Sequence, residues 1–207
     1  MKINPSKRKV LEAASSLFFQ KGFHGTSVRD IADKANVNVS LISYYFNGKQ
    51  GLLEFAVTEY YEKYLETIEA ALEANHNLNP LNKLKELIFI IIQYKQSKHQ
   101  FSCFIHRELS LDSIFVREMT VTYLAKENHF ISNAFYAVLN EQITSINDRT
   151  YLYMQLKGML VTPYMMPNEW KNQIVGQYSH ELFVQNYVKT IHQWLDFVVA
   201  QEINLVN

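Results

Sequence analysis

Between Thr26 and Lys49 the chain reads TSVRDIADKANVNVSLISYYFNGK. Two short amphipathic pieces flank a polar turn, and few folds accept that pattern. In the first piece, Ser27 to Ala35, the residues Val28, Ile31, Ala32 and Ala35 share one face at helical spacing. Ser27 with Asp30 makes a capping pair that satisfies orphan backbone donors at a helix start. Asn36-Val37-Asn38 is the turn. In the second piece, Val39 to Phe46, the inward residues are Ile42 and Phe46. Asn38, Val39, Ser40, Ser43 and Tyr44 then face outward. A short helix that shows small polar groups and an aromatic hydroxyl, packed on another short helix, is the layout of a helix-turn-helix unit whose second helix enters the major groove. The bland alternative is a helical hairpin with no nucleic-acid partner.

Charge distribution favours the first reading. The chain carries 20 Lys and Arg against 20 Asp and Glu. Residues 1–50 hold eight of the bases (Lys2, Lys7, Arg8, Lys9, Lys21, Arg29, Lys34, Lys49) and three of the acids (Glu12, Asp30, Asp33), or +5. The remainder is therefore −5. A basic N-terminal quarter on an acidic body is the electrostatic footprint of a small DNA-binding head. Lys2, Lys7, Arg8 and Lys9 cluster at the start of the first helix, where they either touch phosphates or form a solvated tip.

The order Gly22-Phe23, Thr26-Ser27, Asp30-Ile31-Ala32, Val37, Tyr45-Phe46, then Lys49 with Leu52-Leu53, resembles the N-terminal domain of the TetR family of bacterial regulators over Val10 to Phe55. The family usually has Gly where Asn36 and Ser40 stand here, and often Tyr where Ser43 stands. Those departures bear on base contacts, not on fold. The resemblance implies an all-α protein: a three-helix helix-turn-helix head joined by a long helix to a helical dimerisation body. The expected division is 1–48 for the DNA-binding domain and 49–207 for the dimerisation and regulatory domain. Thr26, Ser27, Arg29, Asn38, Val39, Ser40, Ser43, Tyr44, Tyr45 and Lys49 are the expected DNA-binding residues on palindromic double-stranded DNA. Lys49 and the Tyr44-Tyr45 pair are assigned to phosphates. Asn38, Val39, Ser40 and Ser43 are assigned to base edges. Arg29 either reaches a base or braces the first short helix.

Down the chain, Asn4-Pro5 opens a helix with buried Val10, Leu11, Ala14, Leu17 and Phe18, and Gly22 ends it. Asn47 reads as an N-cap, with Gln50 completing a capping box. The helix that follows is expected to reach about Ala74. Pro80 opens a buried helix through Leu84, Leu87, Ile88, Ile91 and Ile92, and Phe101 to Leu109 is a short one. Asp112 or Ser113 is expected to cap a long helix reaching about Glu141. A further helix is expected from Asp148 to a break at Pro163–Pro167. Gly158 inside it implies a close helix contact. Ser179 starts the last helix.

The last two long helices carry more large apolar residues than one buried stripe each can use. Exposing both faces on a monomer would invite aggregation. A two-fold copy would bury them, with Leu156, Leu160, Tyr187, Ile191, Trp194, Leu195 and Val198 as the expected seam.

No Walker loop, nucleophile elbow or His-Glu-x-x-His motif occurs, so no enzyme activity, cofactor or metal is expected. The seven His residues are scattered, and the single Cys103 excludes an internal disulfide. The most apolar run, Leu87 to Ile92, is too short to span a bilayer. A cytoplasmic, nucleoid-associated protein is expected. Glu59, Glu62, Glu66, Glu69 and Glu73 form an acidic row, either a solvated face or a partner stripe.

The body admits two readings. Met119, Tyr123, Phe130, Tyr153 and Met159 suffice to line a small-molecule pocket, as in a ligand-responsive repressor, although such residues also make plain core. A second resemblance rests on Asn36-Val37-Asn38-Val39, Ile42-Ser43-Tyr44-Tyr45-Phe46, Arg107-Glu108-Leu109-Ser110-Leu111-Asp112-Ser113, Arg117-Glu118-Met119, Leu156-Lys157-Gly158-Met159-Leu160 and Pro163-Tyr164-Met165-Met166-Pro167. These segments resemble the forespore-capture DNA-binding proteins of endospore-forming bacteria. That resemblance implies a role in cell division and chromosome positioning during sporulation, with a cell-division protein as partner and Arg107, Arg117 and Glu118 as its contacts. Alternatively, these residues form internal salt bridges to Glu108 or Asp112.

Overall fold

The computed structural model describes residues 4–108, 118–139, 146–169 and 179–204. Every regular element among them is helical. The chain divides into two compact units, residues 1–63 with 98–110 and residues 64–97 with 111–207.

In the first unit, α1 (Pro5–Lys21) begins where the Asn4 side chain accepts the Ser6 N–H at 2.9 Å. It ends at Gly22, whose positive φ of 74° suits a residue without Cβ. Val10, Leu11, Ala14, Leu17 and Phe18 are all buried, as the stripe requires. Helix α2 (Val28–Ala35) starts with the complete capping box: Ser27 Oγ accepts the Asp30 N–H at 3.0 Å and Asp30 Oδ2 accepts the Ser27 N–H at 2.9 Å. Those bonds hold the Asp30 carboxyl below the usual carboxylate range. Asn36, in the left-handed region, closes α2, and α3 (Ser40–Phe46) follows.

Asn47 does not form the expected N-terminal box. It adopts φ 56° and closes α3, donating its backbone N–H to Ser43 O at 2.9 Å. Gln50 turns forward to Glu54 instead. The turn is tight: a Cβ on Gly51 would lie 1.9 Å from the Phe46 carbonyl oxygen, so only glycine allows α4 (Gly48–Ala74) to leave α3 at this angle. Helix α6 (His99–Glu108), brought back by the intervening chain, packs on α1. Phe104 stacks on Phe18 at 5.2 Å between ring centroids, and the Tyr60 and Ser102 hydroxyls bond at 2.9 Å.

The second unit is built around α5 (Pro80–Ser97), with Leu84, Leu87, Ile88, Ile91 and Ile92 essentially inaccessible. Against it pack α7 (Ala125–Tyr136), α8 (Ile146–Met165) and α9 (His180–Asn204). A π-helical turn, Thr120–Leu124, leads into α7. Asp112, Ser113 and Glu141, expected at the ends of one long helix, lie outside the described residues. Ser179 caps α9 as expected, its Oγ accepting the Leu182 N–H at 3.1 Å.

Helix α8 runs through Pro163 instead of stopping there. Proline lacks the N–H that would bond the carbonyl four residues back, that of Met159. Tyr187 supplies the missing donor, its hydroxyl bonding Met159 O at 2.7 Å. Burial pushes the Tyr187 hydroxyl up to about 12, which keeps it a donor. Gly158 shows the opposite of the expected crowding: a Cβ there would meet nothing within 4 Å.

Candidate nucleic-acid interface

Helix α3 is held inward by Ile42 and Phe46, at 0% and 5% exposure, which leaves its other face to solvent. Val39, Ser40, Ser43 and Tyr44 lie on that exposed face. Tyr44 is 80% exposed, the most accessible large side chain of the helix. Tyr45 is half-buried, its ring set edge-on to those of Tyr44 and Phe46. The Lys7 ammonium lies over Tyr45, Phe46 and Phe55, 4.7 Å from the Phe55 centroid, and so ties α1 to the α3–α4 corner. Arg29 is exposed on α2, and Arg8 and Lys9 are exposed at the start of α1.

Four of the expected contacts have internal work. Asn38 Oδ1 accepts both the Ser40 N–H, at 2.9 Å, and the Ser40 hydroxyl, at 2.8 Å. Asn38 and Ser40 therefore form the cap that starts α3, since Val39 contributes no side-chain bond there. Thr26 is 1% exposed, and its hydroxyl donates to Gly22 O at 2.8 Å, so it packs the α1–α2 loop instead of facing outward. Ser27 is occupied by its capping box.

Lys49 differs most from expectation. Its Nζ donates to the carbonyls of Phe23 and Thr26, both at 2.8 Å, and sits 4.3 Å from the Phe23 ring centroid. The ammonium placed on phosphate by sequence reasoning is here the clasp of the α1–α2 loop. The two carbonyls it binds lie more than twenty residues away in sequence, which local pattern could not reveal.

The expected dimer seam divides in the same way. Leu156, Leu160, Ile191, Leu195 and Val198 are 0–7% exposed and make the core of their own unit. Tyr187 bonds the carbonyl that Pro163 leaves without a donor, and Trp194 is half-buried. The large apolar residues left outside on these helices are others: Tyr151, Met154 and Met165 on α8, and Leu182 and Phe197 on α9, at 40–63% exposure. Tyr151, Met154, Gly158, Thr162 and Met165 share one stripe of α8 at helical spacing. The space above Gly158 is open to a helix from outside the chain.

Of the candidate partner contacts, Arg107 donates to Phe18 O at 2.8 Å and Phe19 O at 3.2 Å, which satisfies the last carbonyls of α1. Glu118 is exposed, and Arg117 lies outside the described residues.

Sequence reasoning passed over a charged cluster in the second unit. Lys95 on α5 and Glu127 on α7 are 3% and 4% exposed and pair at 3.2 Å. Both sit at core positions of apolar stripes, Lys95 after Ile88 and Ile91, and Glu127 before Ile131 and Phe135. A charge in such a register is the signal that could have found them. No group of three or more His, Cys, Asp or Glu among the described residues is placed to hold a metal, and no described helix is long and apolar enough to cross a membrane.

Residues 10–56 match the model of the bacterial regulatory proteins of the tetR family. Over 203 residues, covering 94% of each chain, the sequence is 38% identical to the "Probable HTH-type transcriptional regulator YttP" of Bacillus subtilis. The fold superimposes on the TetR family transcriptional regulator PfmR from Thermus thermophilus with a TM-score of 0.68 at 16% identity, covering 94% of this chain and 96% of that one. The fatty acid degradation regulator FadR from Bacillus halodurans gives 0.66 at 18% identity, with the same coverage. At those identities the likeness is one of fold.

Proposed function

The chain belongs to the tetR family of bacterial regulatory proteins, and from that premise we propose that this transcriptional regulator is a homodimer whose paired α3 helices read a palindromic DNA site. The observation that carries the proposal is α3 itself, anchored by Ile42 and Phe46 and open to solvent along Val39, Ser43 and Tyr44. Ser43 and the Val39 methyls address base edges, and Tyr44 and Arg29 address phosphate or neighbouring bases. Asn38 and Ser40 set the start of α3 and so aim it. Residues 1–48 are the DNA-binding domain by role, and residues 49–207 the dimerisation and regulatory domain. Two copies meet through the α8 stripe that includes Tyr151, Met154 and Gly158, and through exposed Phe197 of α9.

The test is a pair of variants on the full-length protein. Ser43→Ala should leave the melting temperature within about 1 °C, as expected of an exposed site, and relax base preference at one position per half-site. Asn38→Ala should lower affinity for every sequence, because the α3 cap goes, at roughly 1 kcal/mol of stability. A Ser43→Ala protein with an unchanged sequence preference would remove Ser43 from the reading face.

The narrower role in cell division and chromosome positioning during sporulation, with a cell-division partner, is supported by the subgroup resemblance alone. A ligand-responsive repressor is the second reading. It is favoured by one observation, the charged cluster inside the second unit.

A further inference from the structure

Helix α3 has seven residues, too few to be stable by backbone bonds alone, so its side-chain contacts set its orientation. Ile42 and Phe46, one turn apart, are its buried anchors. Two anchors fix a line and leave the roll of the helix about that line to contacts on its flank. Tyr45 is the residue on that flank. It is half-buried, and its ring lies edge-on to that of Tyr44 with centroids 5.2 Å apart. Whatever holds Tyr45 therefore holds the exposed face of α3 as well.

The start of α1 grips that tyrosine twice. Asn4 Nδ2 donates to the Tyr45 hydroxyl at 3.4 Å. The Lys7 ammonium lies 5.8 Å from the Tyr45 ring centroid, 5.4 Å from that of Phe46 and 4.7 Å from that of Phe55. The three rings come from α3 and α4, and Phe46 meets Phe55 at 5.3 Å. A cation is attracted to each ring face it covers, so one ammonium joins three helices. Lysine is otherwise unfavourable at this position. A cation in the first turn opposes the helix dipole, and α1 has no acid there to offset it. Among the described residues no carboxylate pairs with Lys7. Its neighbours Arg8 and Lys9 are exposed, so the basic run divides into two cations in solvent and one on rings.

We propose that Lys7 is a positioning residue for DNA binding, whose ammonium clamps the Tyr45, Phe46 and Phe55 rings and so fixes the roll of α3. It acts through Tyr45 and does not itself touch phosphate. Without the clamp α3 rolls about the Ile42–Phe46 line, and only a fraction of molecules presents Val39, Ser43 and Tyr44 together to a groove. Apparent affinity falls with that fraction. This rests on the reading of α3 as the DNA-contacting helix and adds the contact that sets its roll.

The experiment uses the full-length protein and a duplex that it selects from a random pool. Lys7→Met keeps an apolar stem and removes the charge, whereas Lys7→Arg keeps a cation that stacks on rings. Lys7→Met should weaken binding to every duplex by roughly ten-fold, and Lys7→Arg should restore most of it. The dependence of affinity on salt should not change, whereas loss of a phosphate contact would lower its slope by roughly one unit per half-site. Combined with Tyr45→Leu, the loss from Lys7→Met should be less than additive. A lysine that serves only stability would lower the melting temperature and leave the DNA affinity of the folded protein as it was. In the protein without DNA, ring currents should move the Lys7 ε-methylene protons upfield of those of the exposed Lys9 and Lys34. The proposal is overturned by any one of four results: native affinity in Lys7→Met, a lowered salt slope, full additivity with Tyr45→Leu, or no upfield shift. A native protein that selects no duplex would instead overturn the reading of α3, and this role with it.

Discussion

Glu127→Ala is expected to lower the stability of the second unit by roughly 3–5 kcal/mol, because it takes the paired carboxylate from a buried ammonium. Lys95 is 3% exposed and has Glu127 at 3.2 Å. Removing the carboxylate leaves that charge among Ile88, Ile91 and the Tyr64 and Tyr164 rings, and takes the acceptor from the Tyr64 hydroxyl. Glu127→Gln keeps an acceptor for Tyr64 but not the charge, and should fall between the two. The double variant Lys95→Met with Glu127→Leu removes both charges and should recover most of the loss, since hydrophobic replacement of a buried pair is often neutral. Urea unfolding of the four proteins measures this. A double variant as unstable as Glu127→Ala would mean that shape or further hydrogen bonds, not the loss of the paired carboxylate, set the cost.

Lys49→Ala has the second large effect. Hydrogen bonds to a charged group contribute roughly 1.5–3 kcal/mol each, and Lys49 makes two, to Phe23 O and Thr26 O. Partial exposure of the side chain discounts the total, so a loss of roughly 2–3 kcal/mol is expected. The released loop joins α1 to α2, so α2 and α3 lose their seat. DNA affinity should fall for all sequences alike, with the salt dependence of the remaining binding unchanged. A phosphate contact predicts the reverse: an unchanged melting temperature and a salt slope smaller by roughly one unit per half-site. The two roles are thus separated by two measurements on one variant.

These side chains mark where sequence reading stops. The ends of α1 and α2 were legible because their caps are local: Asn4 reaches Ser6, Ser27 reaches Asp30, and Gly22 takes the positive φ. The reach of α4 to Ala74 followed from its periodicity and the polar breaker after it. Lys49, Arg107 and Tyr187 could not be read in the same way. Each satisfies a backbone carbonyl on another helix or loop, and no residue type at the acceptor announces it. Apolar content alone also could not divide the last two helices between core and seam. Leu156 and Leu160 look no different in sequence from Tyr151 and Met154, yet the first pair is buried and the second is 60% and 63% exposed. Gly158 in a helix implies close packing, and among the described residues nothing lies within 4 Å of a Cβ placed there.

The central claim is that two copies of α3 read one palindromic site. Selection of bound duplexes from a random pool by the full-length protein, followed by the mass of the protein on the winning sequence, tests it most directly. The account predicts an inverted repeat with half-sites roughly one helical turn, ~34–36 Å, or a multiple of it apart. It predicts two chains of 24.3 kDa, or a multiple of two, on each site. A pool that enriches no sequence, or an asymmetric site holding a single chain, would contradict it.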